Sequence, residues 1–78
     1  MKTPTDFKAH ITLYKQQKQN VQLPERNFQI FEFRYGLTDG KPHTEKETAM
    51  QFGISHGRVN QIIGKVLAKC AKASDIIF

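Results

Sequence analysis

Cysteine is almost absent from this chain. Cys70 stands alone, so no internal disulfide can form, and no group of His and Cys has the spacing of metal ligands. Without either staple the core must be held by apolar packing, a composition suited to a reducing cytoplasm. Long apolar runs are missing as well: none approaches the ~18 residues that span a bilayer. The opening MKTPTDFKAH lacks the apolar stretch of a signal peptide. A soluble, cytoplasmic chain with no membrane partner is the expectation. There is no Gly-rich phosphate loop, no pair of carboxylates at matching helix positions and no Ser-His arrangement. The usual catalytic constellations are therefore excluded, and no enzyme activity, small-molecule substrate, cofactor or metal is expected. Internal repeats, low-complexity tracts and long linkers are also lacking, and 78 residues leave room for one small domain.

Basic charge is in excess. Twelve Lys and Arg against seven Asp and Glu give a net charge of +5, spread evenly along the chain. Such an excess is compatible with a polyanionic partner, because each phosphate neutralised releases counterions. It does not require one.

The stretch FQIFEFRYGLTDG, residues 28 to 40, admits two local readings. Aromatics nearly alternating with polar residues, followed by Asp39-Gly40, resemble a strand entering a hairpin turn. A hairpin needs a second strand, however, and KPHTEKETAMQF offers Pro42 and no period-2 pattern. The same residues also place Phe28, Phe31 and Tyr35, and beside them Ile30, Phe33 and Leu37, at helical spacing. Pro24-Glu25 suits a first helical turn and Gly36 a left-handed C-cap. A helix over 24–35 is the better reading, with 36–43 as a loop.

The rest of the chain also reads as helix. TDFKAHITLYKQQKQN spaces Phe7, Ile11 and Tyr14 helically and predicts a helix over 5–19, broken by VQLP. Thr44-Glu45-Lys46-Glu47 is a T-x-x-E capping box and starts a short helix, 44–52, whose thin apolar side is Ala49, Met50 and Phe52. Gly53 ends it. Ser55 caps the last helix, 55–73, with Ile54 and Val59 as a hydrophobic staple. Val59, Ile62, Ile63, Val66, Leu67 and Cys70 form its apolar side. The fold class expected is all-α, a small four-helix domain.

Two capped helices joined by Gly53-Ile54-Ser55, the first short and the second long, are the pattern of a helix-turn-helix. On the second helix His56, Gly57, Asn60, Gln61, Gly64 and Lys65 share the side opposite the apolar one. That side is the candidate reading surface. Asn and Gln can match an adenine edge with a donor and an acceptor, while Lys and Arg suit phosphates or guanine. A helix-turn-helix can also be a plain packing unit, and the lysines of the last helix a solvated face. Phe28, Phe31, Phe33 and Tyr35 read as core, His10 and His43 as isolated and exposed, and Cys70 as a small core residue.

From Leu23 to about Lys72 the sequence resembles region 4 of bacterial housekeeping-type sigma factors. LPERNFQIFEFRYGLTDGKPHT carries the family's early Leu and Arg, apolar helix, Arg-aromatic-Gly-aliphatic, Asp-Gly and Thr cap. TEKETAMQFGISHGRVNQIIGKVLAKC carries its T-x-x-E helix, turn and recognition helix with Lys65-Val66-Leu67-Ala68-Lys69. The resemblance divides the chain into an N-terminal helix and connection at 1–22, a region-4-like domain at 23–73 and an apolar tail at 74–78. It implies promoter DNA resembling the −35 element as one partner and the flap of RNA polymerase as another. It places His56 and Gln61, with Gly57 and Asn60 beside them, where the family reads bases. Arg26, Arg34 and Thr44 fall where it meets phosphates, and Arg58 near backbone or base edges; Lys65, farther along the helix, joins the phosphate set. Gly57 stands where the family usually has a Glu, and His56 and Asn60 where it has arginines, so weak DNA binding is expected, roughly micromolar or poorer at physiological salt. By analogy the flap would meet Phe31, Phe33, Ile76, Ile77 and Phe78. A lone region 4 lacks the partner domain that melts the promoter, so the resemblance implies a detached piece, a small stand-alone regulator or a mobile-element protein. The alternative is a protein-binding module without specific DNA recognition.

Overall fold

The computed structural model describes residues 7–74. Four helices follow one another, α1 (Phe7–Gln17), α2 (Glu25–Tyr35), α3 (Glu45–Phe52) and α4 (His56–Ala73), with a 3-10 turn at Lys18–Asn20 after α1. No strand occurs among the described residues, so the all-α expectation holds and FQIFEFRY is helix. Pro24 sits one position earlier than expected, as N-cap to α2.

Each break is made by a local device. At the end of α2, Gly36 adopts φ 77°. Its N–H reaches the Phe33 carbonyl at 3.3 Å and the Leu37 N–H reaches that of Glu32 at 2.8 Å, closing the helix in a Schellman motif. At the start of α3 the capping box forms in both directions: Glu47 N–H donates to Thr44 Oγ at 3.0 Å and Thr44 N–H to Glu47 Oε1 at 2.9 Å. The bond from the Thr44 backbone holds the Glu47 carboxyl below its usual range. Ser55 caps α4 by accepting from the Arg58 N–H at 3.2 Å. Thr44→Ala should therefore lower stability by about 1 kcal/mol while the fold survives. An unchanged urea midpoint would show that the box contributes nothing.

α4 is the central element, packed by all three other helices. Its buried side is Val59, Ile62, Val66, Cys70 and Ala71, with Ile63 and Leu67 half-buried against the same core. Burial pushes the Cys70 thiol up, away from the reactive thiolate. Across from it α2 contributes Phe28, Ile30, Phe31 and Tyr35. Phe31 is stacked between Tyr14 at 4.4 Å and Tyr35 at 4.2 Å, measured between ring centroids. α1 is tied to this stack by a polar contact as well. The Tyr14 hydroxyl donates to Glu32 Oε2 at 2.6 Å, and Lys18 Nζ meets the same oxygen at 3.0 Å. Burial, and next the bond to Glu32, pushes the Tyr14 hydroxyl far above the usual tyrosine range.

Four expectations are corrected here. Phe31 has no exposed surface, so it cannot be offered to a partner; α1 covers it. Met50 lies on the open side of α3, 75% exposed. Ala49 is buried and Phe52 packs half-buried against the core, as expected, and Thr48 takes the remaining inner position, its hydroxyl satisfied by the Thr44 carbonyl at 2.9 Å. His10 is half-buried, its Nδ1 2.8 Å from the Tyr35 hydroxyl. His43 is also half-buried, because the 36–43 loop folds back over α2. Its ring stacks on Phe33 at 3.9 Å, and Nδ1 lies 3.0 Å from the Phe33 carbonyl. A carbonyl only accepts, so Nδ1 carries the proton there.

Candidate nucleic-acid interface

The turn between α3 and α4 is short because Gly53 enters the left-handed region at φ 66° and Ser55 at once caps the next helix. Burial of Val59, Ile62 and Val66 fixes the rotation of α4 about its axis. His56, Gly57, Asn60, Gln61, Gly64 and Lys65 are consequently all exposed, along one face. The four residues expected to read bases are thus brought together on the first two turns of α4. Arg58 and Lys65, expected at phosphates, are exposed on the same helix. Among the described residues a Cβ added to Gly57 or Gly64 would meet nothing within 4 Å, so no close packing there calls for either glycine.

Two side chains on this face, Asn60 and Gln61, touch neighbours. Arg58 Nη1 lies 3.4 Å from Gln61 Oε1. Asn60 Nδ2 lies 3.4 Å from Oε1 of Glu45, in the first turn of α3. Sequence reasoning left Glu45 out of the site, since nothing local connects positions fifteen apart. Only the helix-turn-helix crossing does.

The remaining phosphate candidates are placed differently. Thr44 lies at the exposed start of α3, where its hydroxyl oxygen already accepts from Glu47. Arg26 and Arg34 belong to α2, and both grip the ends of α3. Arg26 Nη2 donates to the Phe52 carbonyl at 2.6 Å, with its guanidinium 5.7 Å from the centre of the Phe52 ring. Arg34 Nη1 donates to the His43 carbonyl at 2.9 Å, just before the N-cap. Arg26 stays exposed and Arg34 is half-buried. Of the residues expected at a polymerase surface, Phe33 is half-buried beneath His43 and edge-on to Phe52 at 5.7 Å. Ile76, Ile77 and Phe78 lie outside the described residues.

The arrangement offers hydrogen-bonding side chains on a convex helix, flanked by cations. No cluster of residues that could hold a metal ion occurs among the described residues, nor a helix long and apolar enough to cross a membrane.

A family model described as Sigma-70, region 4 matches residues 21–72, the span from the end of the first turn through most of α4. The chain belongs to the sigma-70 region 4 family. Among its relatives is the RNA polymerase sigma factor SigA of a Bacillus species, 38% identical over 69 residues, which covers 86% of this chain and 18% of that protein. SigA of Lactococcus lactis subsp. cremoris is 30% identical over 70 residues, covering 88% of this chain and 19% of the relative. The chain thus spans less than a fifth of the length of these sigma factors. No solved structure matches it. Within this region 4 domain the helix-turn-helix is α3 and α4, supported from behind by α2, and α1 precedes the matched span.

Proposed function

We propose that this region 4 domain binds double-stranded DNA resembling a promoter −35 element, with α4 in the major groove. The observation that carries the reading is the exposed row His56, Gly57, Asn60, Gln61, Gly64 and Lys65 on the second helix of a helix-turn-helix of this family. Asn60 and Gln61 reach base edges from the first turns, with His56 beside them and Gly57 allowing close approach. Arg58 and Lys65 hold phosphates, and Thr44 meets the rim of the groove from the start of α3. Arg26 and Arg34 support α3 and add charge nearby. The role is one of binding in the cytoplasm, beside RNA polymerase, whose flap is the second partner.

A second reading is favoured by one observation. Gly57 offers no side chain, and Arg26 and Arg34 are engaged on carbonyls, which leaves few groups for tight DNA contact. On that reading the domain binds polymerase or a regulator without specific DNA recognition.

A random-oligonucleotide selection at low salt, run with the wild type and Gln61→Ala, separates the two. The wild type should yield a motif. Gln61→Ala should cost roughly 1–3 kcal/mol on that motif and little on other sequences. If no motif emerges while a polymerase-flap pull-down succeeds, base readout is wrong and the second reading stands.

A further inference from the structure

The amides of Asn60 and Gln61 are adjacent on α4, and each touches a neighbour whose chemistry permits a single orientation. Glu45, when ionised, has acceptors only, so the end of the Asn60 amide facing it at 3.4 Å is the nitrogen. Turning that amide over would set its oxygen against a carboxylate. Arg58 has donors only, so the end of the Gln61 amide facing its Nη1 at 3.4 Å is the oxygen. Both bonds are long, and their effect is on orientation more than on strength.

We infer that Glu45 and Arg58 are positioning residues that set the two reading amides in opposite senses, so that Asn60 leads with its carbonyl oxygen and Gln61 with its NH2 group. The inference rests on the DNA-reading role proposed above and names what that surface selects. In the major groove an outward acceptor meets the amino group of adenine or cytosine. An outward donor meets the keto oxygen of guanine or thymine, or a purine N7. Asn60 therefore selects an amino base, while Gln61 accepts a keto base or the N7 of either purine and disfavours cytosine. The Glu45 carboxylate adds to this, since it repels a keto oxygen brought towards Asn60.

The test is the same selection with Asn60→Ala and Glu45→Gln added. Asn60→Ala identifies the base pair that Asn60 contacts. At that pair the wild type should accept A·T and C·G in one strand sense and disfavour the reversed pairs, T·A and G·C, by about tenfold, an amino-against-keto split. A glutamine at position 45 can donate or accept, and so supports either orientation of Asn60. In Glu45→Gln the preference at that pair should fall below about threefold while the other positions keep theirs. The capping box does not use the Glu45 side chain, so the fold should be retained. A second measurement needs no DNA: the NMR signals of the Asn60 side-chain NH2 in the free protein should differ between wild type and Glu45→Gln. A preference at the Asn60 pair that separates purine from pyrimidine, or A·T and T·A from G·C and C·G, a motif unchanged in Glu45→Gln, or NH2 signals indifferent to Glu45 would each overturn orientation control and leave base readout standing. A wild type that selects no motif overturns base readout itself, and this inference with it.

Discussion

Gly36→Ala is expected to leave the protein largely unfolded, with a loss of roughly 3 kcal/mol or more from a domain whose total stability is only several kcal/mol. Gly36 is buried and adopts φ 77°, a conformation that costs an L-residue about 1–2 kcal/mol. The larger cost is steric. A Cβ would lie 2.6 Å from the Pro42 nitrogen and 2.7 Å from the Lys41 carbonyl carbon, both backbone atoms with no rotamer to give. Relief requires moving the 36–43 loop, which is held by Gly40 N–H on the Gly36 carbonyl at 2.9 Å and His43 N–H on the Arg34 carbonyl at 3.1 Å. Gly40 is the control. It has the same left-handed backbone, φ 78°, but open space around its Cβ position, so Gly40→Ala should cost only about 1 kcal/mol. Urea denaturation of the two variants decides the matter: equal midpoints would mean that the loop does not press on Gly36.

Phe31→Ala should cost about 3–5 kcal/mol, the range for deleting a fully buried aromatic. Phe31 has no exposed surface and is stacked on both faces, so its loss opens a cavity where α1 meets α2 and removes two ring contacts. The thermal midpoint should fall by well over ten degrees in a domain of this size. A variant with wild-type stability and impaired polymerase binding would instead return Phe31 to the surface role that the apolar pattern of α2 allows.

These two residues show what could be read from the sequence. Gly36, Thr44, Glu47 and Ser55 were legible because a cap is a local object: residue type and spacing of three or four positions contain the whole device. The inner side of α4 was legible because its apolar residues keep one period over eighteen residues. Phe31 was not. α2 carries two adjoining apolar stripes, and which of them is covered depends on Tyr14, seventeen positions earlier. Charge and resemblance mark Arg26 and Arg34 as phosphate ligands, while their hold on α3 is invisible in the sequence, because the carbonyl partners lie 26 and 9 residues away and have no side-chain signature. Met50 was misplaced because an eight-residue helix gives too few turns for its period to define a face. The row on α4 was found by elimination, as the side left over once the core was assigned. The partners that orient it, Glu45 above all, came only with the crossing of α3 and α4.

The arginine contacts make α2 a caliper for α3. Arg26 and Arg34 stand eight residues apart, about 12 Å along the axis, and the carbonyls they hold bracket a helix of eight residues and the same length. Side chains on the open side of α3, Lys46, Met50 and Gln51, do not enter that measurement. The number of residues in α3 does. One residue more would carry the Phe52 carbonyl about 1.5 Å along the axis and turn it by about 100°, out of the jaw formed by Arg26.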